Sequence, residues 1–327
     1  MKALVIGGTG FIGSHIVKYL IANGIEVRVL IRRESNIGHL ADKRIEFKYG
    51  NISDIDSLRE HTKDVDLVYS AFGILGQWAM PEQKYWEINT KGVENLLESC
   101  LNRQVKQFIH ISSAGVLGPL PDGVLADESF PYNPSNVYEK TKCEAEKTIL
   151  DYGEKQGLPF TIIRPEFVYG PEDTHVFGLF KAIKAKRFLL LGNGNSLLHP
   201  TYIDDLIQGI HLCTNNENAK GKIFLITGDK PITVKKLANT IAEELNVNLP
   251  KIQLPLIFAN ATAKILESGA RVANFEPLLT TSRVKFFTEN RAFSYQKARD
   301  ELGYVPKVDF REGARRTIRW YKDNRYL

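Results

Sequence analysis

A glycine-rich segment between two apolar runs constrains the fold of this chain more than any other feature. An apolar run at 3–6 leads into residues 7–13 (GGTGFIG), and a helical pattern then leads to a second apolar run at 27–31. This order predicts strand, glycine turn, helix and strand, the opening unit of a dinucleotide-binding fold. We expect Gly7 to permit the tight turn, Gly10 to let the backbone approach a pyrophosphate, and Gly13 to let helix and strand pack closely. The phosphates would lie at the helix N-terminus, where free N–H groups favour negative charge.

The end of the second predicted strand indicates which dinucleotide is bound. In NAD-binding folds an acidic residue at this point hydrogen-bonds the adenosine ribose hydroxyls. This chain has Arg32 and Arg33 after Ile31, with Ser35 nearby. Two guanidinium groups suit a 2′-phosphate, and we expect no carboxylate beside them to repel it. The pattern favours NADP, with NAD as the alternative.

The composition is that of a globular chain that can build a large core. The chain has 327 residues, a formal net charge of +5 that is spread along the sequence, and three cysteines. Cys100, Cys143 and Cys213 show neither a metal-ligand spacing nor a disulfide framework, so we expect no metal and a cytoplasmic location. Basic clusters are short and interleaved with acids, so we expect no nucleic-acid partner. No apolar run reaches the length of a membrane span, so we expect no membrane partner.

Apolar runs and helical patterns alternate from residue 2 to about residue 165. Further strands are predicted at 45–49, 67–70, 108–111, 160–163 and 223–227, and helices at 55–61, 82–102, 138–156, 176–186, 202–214, 234–245, 256–274 and 311–324. The repeated βα units predict an α/β fold, a Rossmann-type doubly wound parallel sheet with a smaller C-terminal substrate lobe. We therefore expect an NAD(P)-binding domain over residues 1–165 and a substrate-binding lobe over residues 166–327, interleaved at an approximate boundary.

Tyr138 and Lys142 stand four residues apart on a predicted helix and therefore share one face. A free phenol has a pKa of about 10, and a nearby ammonium group stabilises the phenolate and lowers that pKa. We expect Tyr138 to exchange a proton with a substrate oxygen while hydride moves at the adjacent carbon. Lys142 would also hold the nicotinamide ribose. Such a pair also arises by chance on solvated helices.

Ser112 and Ser113 follow the fifth predicted strand, at the sheet edge where ligands gather in open α/β folds. A serine there can hydrogen-bond the substrate oxygen and hold it against the phenol. The alternative is a serine that ends the strand or caps a turn. By spacing alone, either serine could point into the site.

These signals together resemble the extended short-chain dehydrogenase/reductases, the NAD(P)-dependent epimerase/dehydratase group. The matching segments follow one another in a consistent order through nearly the whole chain, at residues 7–13, 89–97, 111–118, 138–142, 164–171, 202–206 and 302–306. Segments at 198–201, 277–280 and 293–298 resemble the 3β-hydroxysteroid dehydrogenase and dihydroflavonol-reductase-like branches. Family members often dimerise through two long helices, so we expect a homodimer formed by residues 82–102 and 138–156.

The resemblance implies a catalytic set of Ser113, Tyr138 and Lys142. Ser113 matches the family serine because it directly precedes Ala114. Tyr138 would be the acid/base and Lys142 its partner. The predicted cofactor-binding residues are Gly7, Thr9, Gly10, Phe11, Ile12, Gly13, Arg32, Arg33, Asn51, Ile52, Ala71, Asn89, Pro165 and Val168.

The resemblance gives more specific expectations for Asn89, Pro165, Val168 and Asn51. Asn89 would lie near the cofactor ribose or equally stabilise the sheet edge, whereas Pro165 and Val168 would lie against the nicotinamide. Asn51 stands where the family usually has aspartate, which weakens adenine recognition by that side chain.

Departures from the family patterns narrow the activity. Sugar 4,6-dehydratases carry Thr-Asp-Glu where this chain has Ser113-Ala114-Gly115, so it lacks the carboxyl groups that their elimination step needs. Many sugar-nucleotide epimerases carry an asparagine after the Arg-Pro segment that touches substrate phosphate. This chain has Glu166 there, a poor neighbour for a diphosphate.

The leading hypothesis is an oxidoreductase that moves hydride between NADP(H) and a secondary alcohol or ketone of a small-molecule substrate. The first alternative is a nucleotide-sugar epimerase that keeps NAD tightly bound. The second alternative is a non-catalytic NADP-binding module that senses redox state or serves as a scaffold.

Overall fold

The computed structural model describes the whole chain apart from residues 41, 102, 104, 251, 274, 276 and 278, and it describes residues 271 and 272 by their backbone alone. Three predicted positions lie outside the described residues: Asn102 and Asn274, at the ends of two predicted helices, and Leu278, in one family-like segment.

The described strands of the first half of the chain are β1 (Lys2–Ile6), β2 (Glu26–Ile31), β3 (Ile45–Tyr49), β4 (Leu67–Ser70), β5 (Gln107–Ile111) and β6 (Phe160–Pro165). Those of the second half are β7 (Val168–Tyr169), β8 (Leu190–Leu191), β9 (Leu197–Leu198), β10 (Thr201–Tyr202), β11 (Lys222–Ile226), β12 (Ile232–Thr233) and β13 (Gln253–Leu254). The strands that sequence reasoning missed are the two-residue pairs β7–β10, β9–β12 and β8–β13, which are too short for a periodic pattern.

A seven-stranded parallel sheet with the order β11-β6-β5-β4-β1-β2-β3 forms the centre of the molecule. The strands β1, β2, β4, β5 and β6 are buried along almost their whole length, as expected for a parallel sheet covered by helices on each side, whereas the edge strand β3 is partly exposed. The predicted Rossmann-type α/β fold is therefore confirmed. The order turns back between β1 and β4, which opens a crevice at their carboxyl ends, the usual ligand site of such sheets.

The described helices are α1 (Phe11–Ala22), α2 (Ile55–His61), α3 (Glu82–Tyr85), α4 (Gly92–Cys100), α5 (Val137–Gln156), α6 (Phe177–Lys184), α7 (Ile203–Cys213), α8 (Val234–Glu244), α9 (Leu256–Ala273), α10 (Thr281–Thr288), α11 (Gln296–Leu302) and α12 (Phe310–Asp323). A π-helical turn over Trp86–Lys91 interrupts the predicted helix 82–102 and joins α3 to α4. Helices α1 and α7 cover one face of the sheet, and α2, α4 and α5 cover the other.

The second half of the chain contributes both to the sheet and to a separate apolar cluster. β11 pairs with β6 as the last strand of the sheet, so the two halves interleave. Side chains of α6, α8 and α12 form the separate cluster, with Phe180, Leu237 and Tyr321 at its centre. None of the helices that the structure describes combines the length and the apolar surface needed to cross a lipid bilayer.

Candidate active site

The glycine turn after β1 has the geometry of a phosphate cradle. The Gly10 N–H donates to the Gly7 carbonyl at 2.9 Å, and α1 begins at the next residue. Gly7 has a φ of +83°, and an added Cβ there would lie 2.4 Å from the Ala71 carbonyl oxygen. A Cβ on Gly13 would lie 2.1 Å from the Gly7 carbonyl oxygen, so helix and strand are in close contact. These residues fit a dinucleotide pyrophosphate, because the turn brings bare backbone to the start of a helix.

The other predicted cofactor residues lie along the carboxyl edge of the sheet. Thr9, Phe11 and Ile12 belong to the glycine turn and the first turn of α1; Asn51 and Ile52 follow β3; Ala71 follows β4; Pro165 ends β6; and Val168 begins β7. The Asn51 side chain accepts the Ser53 N–H at 3.0 Å, and Ile52 packs against the apolar cluster between the sheet and α4. The structure thus brings these positions to one edge, and their contacts with a cofactor stay predictions.

Asn89 makes structural hydrogen bonds at the sheet edge, one of the two roles that the sequence left open for it. Its amide oxygen accepts the Ile74 N–H at 2.7 Å, and its amide nitrogen donates to the Ile74 carbonyl and to the Thr141 hydroxyl, each at 3.1 Å. The side chain thus ties the loop after β4 to α5. The π-helical turn that carries Asn89 gives it this reach between two elements.

The expectation that no carboxylate stands beside Arg32 and Arg33 is wrong. The Glu34 carboxylate lies 3.3 Å from the Arg32 Nε, and both side chains are exposed. Arg33 and Tyr49 instead line a surface depression of about 390 Å³ at the ends of β2 and β3. Arg33 is therefore better placed than Arg32 to meet an anion at this edge.

Ser113 and Tyr138 meet at the centre of the carboxyl edge, next to the crevice. The Ser113 side chain lies against the first turn of α5, since a Cβ on Gly115 would lie 3.2 Å from the Ser113 hydroxyl and 3.1 Å from the Glu139 side chain. From there Ser113 acts to lower the pKa of the Tyr138 phenol, and its hydroxyl accepts the Gly115 N–H at 3.1 Å. Asn136 caps α5 by accepting the Glu139 N–H at 3.0 Å, which starts the helix just before Tyr138. The hydroxyl pair can hold one substrate oxygen between two donors.

The expected lowering of the pKa of Tyr138 by Lys142 is not found. Burial raises the pKa of Tyr138, Ser113 opposes that shift, and the carboxylates of Glu166 and Glu139 add to it. The Lys142 amine is directed elsewhere: it donates to the Ile111 carbonyl at 2.6 Å and contacts the His110 Nε2 at 3.1 Å. Without a bound cofactor, the phenol is therefore held in its protonated form.

Ser112 belongs to a different network from Ser113. Its hydroxyl donates to the Glu146 carboxylate, which also accepts from the Tyr132 hydroxyl at 2.8 Å and pairs with Arg164 at 2.6 Å. Ser112, Glu146 and Arg164 are all buried. The structure thus separates the two serines that the spacing left equivalent: Ser113 faces the phenol and Ser112 the core.

A largely buried charge cluster next to the start of α5 was not predicted as a unit. Arg291 donates to the Glu139 carboxylate at 2.9 Å, lies 3.7 Å from the Glu289 carboxylate, and interacts electrostatically with Glu166. These residues come from distant parts of the chain, and no spacing pattern connects them. Glu166 was noted in the sequence only as a poor neighbour for a diphosphate.

Comparison with known proteins decides the family. The model of the NAD dependent epimerase/dehydratase family matches residues 3–227. The chain belongs to this family. The decarboxylating sterol-4-alpha-carboxylate 3-dehydrogenase of Candida albicans, a related sequence, is 28% identical over 99% of this chain and 98% of its own length. The 2-alkyl-3-oxoalkanoate reductase of Shewanella oneidensis is 26% identical over 96% of this chain and 84% of its own length.

A solved member of the epimerase/dehydratase family shows the same fold. The UDP-glucuronic acid 4-epimerase of Bacillus cereus, crystallised with UDP-glucuronic acid and NAD, superposes with a TM-score of 0.80 at 25% identity, covering 99% of this chain and 100% of that chain. These matches confirm the prediction of an NAD(P)-dependent oxidoreductase of the extended short-chain dehydrogenase/reductase type. They therefore favour an enzyme over the alternative of a non-catalytic module. The predicted similarity to 3β-hydroxysteroid dehydrogenases agrees with the similarity to the sterol-4-alpha-carboxylate 3-dehydrogenase of Candida albicans.

Proposed function

We propose that this enzyme transfers hydride between NADP(H) and a secondary alcohol or ketone, with Ser113, Tyr138 and Lys142 as its catalytic set. The observation that carries the proposal is the position of Ser113, which follows β5 and lies against the first turn of α5, close enough to act on the pKa of the Tyr138 phenol. Two hydroxyls at that point can act on a single oxygen of a substrate. Residues 1–165 would bind the cofactor and residues 166–327 would form most of the substrate pocket.

The protonated phenol of Tyr138 suits the reduction of a carbonyl group. The Ser113 and Tyr138 hydroxyls would donate hydrogen bonds to the carbonyl oxygen and so polarise the carbon. NADPH, when bound, supplies the hydride for that carbon. Burial, Glu166 and Glu139 raise the pKa of Tyr138 and so keep the phenol protonated at neutral pH. Tyr138 then gives its proton to the substrate oxygen, which as an alkoxide is a stronger base than the phenolate that remains.

Lys142 would act on the cofactor side of Tyr138. One helical turn separates the two side chains, and the Lys142 amine is fixed by the Ile111 carbonyl and His110. We assign it to the nicotinamide ribose hydroxyls, to which an ammonium group can donate.

The preference for NADP is also a proposal, and Arg33 supports it. Arg32 pairs with Glu34, whereas Arg33 lines the depression with Tyr49 at the strand ends. A guanidinium–phosphate contact contributes about 1.5–3 kcal/mol, so Arg33→Ala should lower the NADPH-over-NADH preference by about 10- to 100-fold. Arg32→Ala, the matched control, should lower that preference by a smaller factor. Equal loss for both cofactors in Arg33→Ala would contradict the assignment.

We further propose a homodimer formed by the α4 and α5 faces, as the family resemblance implies. Trp86, in the π-helical turn before α4, is an exposed aromatic on this side of the molecule. Light scattering coupled to size exclusion measures the mass, and Trp86→Glu should shift a dimer to monomer. A monomeric wild type would overturn this proposal and leave the catalytic one intact.

A panel of ketones tests the catalytic proposal by NADPH consumption. Tyr138→Phe should lower kcat by about 100-fold or more, because the proton donor is lost while the ring stays. Tyr152→Phe, which removes a hydroxyl on the same helix about 21 Å away, is the matched control and should keep full activity. Undiminished turnover by Tyr138→Phe would refute the assignment, and so would a panel in which wild type reduces nothing.

A further inference from the structure

Glu166 is a buried acid at the carboxyl edge of the sheet, directly after β6, the strand that pairs with β5 ahead of Ser113, and its charge acts on the Tyr138 phenol. The residue is 4% exposed and follows directly on the last residue of β6. Thr201 fixes its backbone, since the Thr201 hydroxyl donates to the Glu166 carbonyl at 2.6 Å and the Thr201 N–H donates to the Phe167 carbonyl at 3.2 Å. Phe167 has a φ of +38°, an unfavourable value for a side chain of this size, so the loop is held in place by its contacts.

The charges around Glu166 are predominantly negative. Arg291 is 5% exposed and is the cation that faces Glu166, while Glu139 and Glu289 compete for the same guanidinium group. Arg291 donates a hydrogen bond of 2.9 Å to Glu139, and the guanidinium carbon of Arg291 lies 5.8 Å from the centre of the Phe286 ring. Within the described part of the chain, no hydrogen bond reaches the Glu166 carboxyl group. Glu139 and Glu289 thus share the Arg291 guanidinium group, and Glu166 interacts with it electrostatically without forming an ion pair.

We propose that Glu166 determines substrate specificity: it accepts a neutral polar group next to the reacting carbon and excludes a carboxylate or diphosphate there. This inference rests on the proposed oxidoreduction at Tyr138. The substrate class is therefore a ketone or secondary alcohol whose neighbouring polar group is an ester, hydroxyl or second carbonyl. The rings of Phe167 and Phe286, 5.7 Å apart, provide an apolar surface beside it for the rest of the molecule.

The physical reason is the cost of placing like charges together where water is excluded. A substrate anion beside Tyr138 would face Glu166 and Glu139, and Arg291 already neutralises one of them. Like-charge contacts in such a site cost several kcal/mol in discrimination. A neutral group has no such penalty and can satisfy the unpaired carboxyl group of Glu166.

The ionisation of Glu166 supports this reading and adds a pH dependence. Burial raises the pKa of Glu166 to about 7, with Arg291 opposing the shift and Glu139 adding to it. Near neutral pH the group can therefore donate as well as accept a hydrogen bond. Above pH 7 the Glu166 carboxyl group is charged, so discrimination against anionic substrates should grow with pH. The charged and titratable groups that interact with Glu166 are Tyr138, Glu139 and Arg291, and Glu289 in turn pairs with Arg291.

This selectivity sets the chain apart from its relatives. The names of two relatives, sterol-4-alpha-carboxylate 3-dehydrogenase and 2-alkyl-3-oxoalkanoate reductase, specify substrates with a carboxylate group. The cluster of Glu139, Glu166 and Arg291 leaves no uncompensated positive charge to receive one. A neutral analogue of such substrates fits the charge balance of this site.

The experiment compares 3-oxo acids with their methyl esters over several chain lengths, using kcat/KM from NADPH consumption. Wild type should prefer the ester, and Glu166→Gln should reduce the ester-to-acid ratio by about tenfold or more. Glu166→Asp keeps the charge and should keep most of the preference. Glu172→Gln, which removes an acid of the same segment that pairs with Lys18, is the matched control and should leave the ratio unchanged.

Each outcome decides the inference. An unchanged ratio in Glu166→Gln, or a wild type that uses acid and ester equally, overturns it. If Glu166→Gln does not fold, the wild-type ratio measured across pH 6 to 8 still decides, because the ester preference should rise with the ionisation of Glu166. A wild type inactive on the whole panel refutes the proposed oxidoreduction, whereas activity with an unaltered ratio refutes only the role of Glu166.

Discussion

The amine of Lys142 contacts the imidazole Nε2 of His110 at 3.1 Å, inside the carboxyl edge of the sheet. His110 in turn contacts the Ser70 hydroxyl through Nδ1 at 2.9 Å. Burial lowers the pKa of Lys142 to about 8, and burial together with the charge of Lys142 lowers the pKa of His110 well below its ordinary value. The lysine is thus poised to lose its proton only slightly above neutral pH.

The pH dependence of stability tests this state of Lys142. In the unfolded chain the lysine keeps its proton up to about pH 10.5, whereas in the folded chain it releases it near pH 8. The unfolded state therefore binds more protons in this window, so the folded state gains stability as pH rises through it. The free energy of unfolding of wild type, relative to Lys142→Met, should rise by roughly 3 kcal/mol from about pH 8 to about pH 10.5.

Urea denaturation at a series of pH values measures this difference. Lys140→Met removes an exposed lysine from the same helix and is the matched control, with a stability difference that should stay constant over the window. A pH-independent difference between wild type and Lys142→Met would show that the buried amine does not lose its proton in that range.

The two adjacent serines should fail in different ways. Ser113→Ala removes the hydroxyl next to the Tyr138 phenol and should lower kcat by about 100-fold. The same variant loses the bond from the Gly115 N–H, so its free energy of unfolding should fall by about 0.5–2 kcal/mol. Ser112→Ala removes a buried donor to Glu146 and should lower the free energy of unfolding by about 1–3 kcal/mol while kcat stays near wild type. Steady-state kinetics and thermal melts on both variants provide the check. The reverse pattern would mean that Ser112 is the catalytic serine.

Local spacing explains why much of this site was accessible from the sequence. The turn of residues 7–13 and the Tyr138–Lys142 pair each lie within one element, so their geometry follows from the period of a strand or a helix. The parallel sheet was predictable for the same reason, since its buried strands are continuous apolar runs. Spacing alone could not separate Ser112 from Ser113, and only the family resemblance favoured Ser113, because which serine faces α5 depends on how β5 and α5 pack.

The remaining features depend on long-range contacts. Glu139, Glu166 and Arg291 meet only after the segment following β6 and the segment after α10 pack against α5. The π-helical turn at Trp86–Lys91 also has no periodic signature, because one extra residue per turn hardly changes an apolar pattern. The pKa of Tyr138 was predicted in the wrong direction since the sequence shows Lys142 nearby but neither the burial nor the carboxylates.

Two glycines of the turn at residues 7–13 should respond differently to substitution by alanine. A Cβ on Gly13 would lie 2.1 Å from the Gly7 carbonyl oxygen, so Gly13→Ala should lower the free energy of unfolding by at least about 2 kcal/mol. A Cβ on the exposed Gly10 would lie 3.3 Å from the same oxygen, so Gly10→Ala should fold but weaken NADPH binding by tenfold or more. Fluorescence titration with NADPH and urea denaturation separate the two effects. Normal cofactor binding by Gly10→Ala would argue against a pyrophosphate at this turn.

The buried ion pair between Arg164 and Glu146 should make single and double substitutions differ. Arg164 contacts Glu146 at 2.6 Å and both side chains are almost fully buried, so Arg164→Met leaves an uncompensated carboxylate in the core. We expect this variant to lose about 3–5 kcal/mol of unfolding free energy, and the double variant with Glu146→Leu to recover part of that loss because no charge is then left unpaired. Urea denaturation followed by tryptophan fluorescence measures both. A loss below about 1 kcal/mol in Arg164→Met would mean that water reaches Glu146 and replaces the guanidinium group.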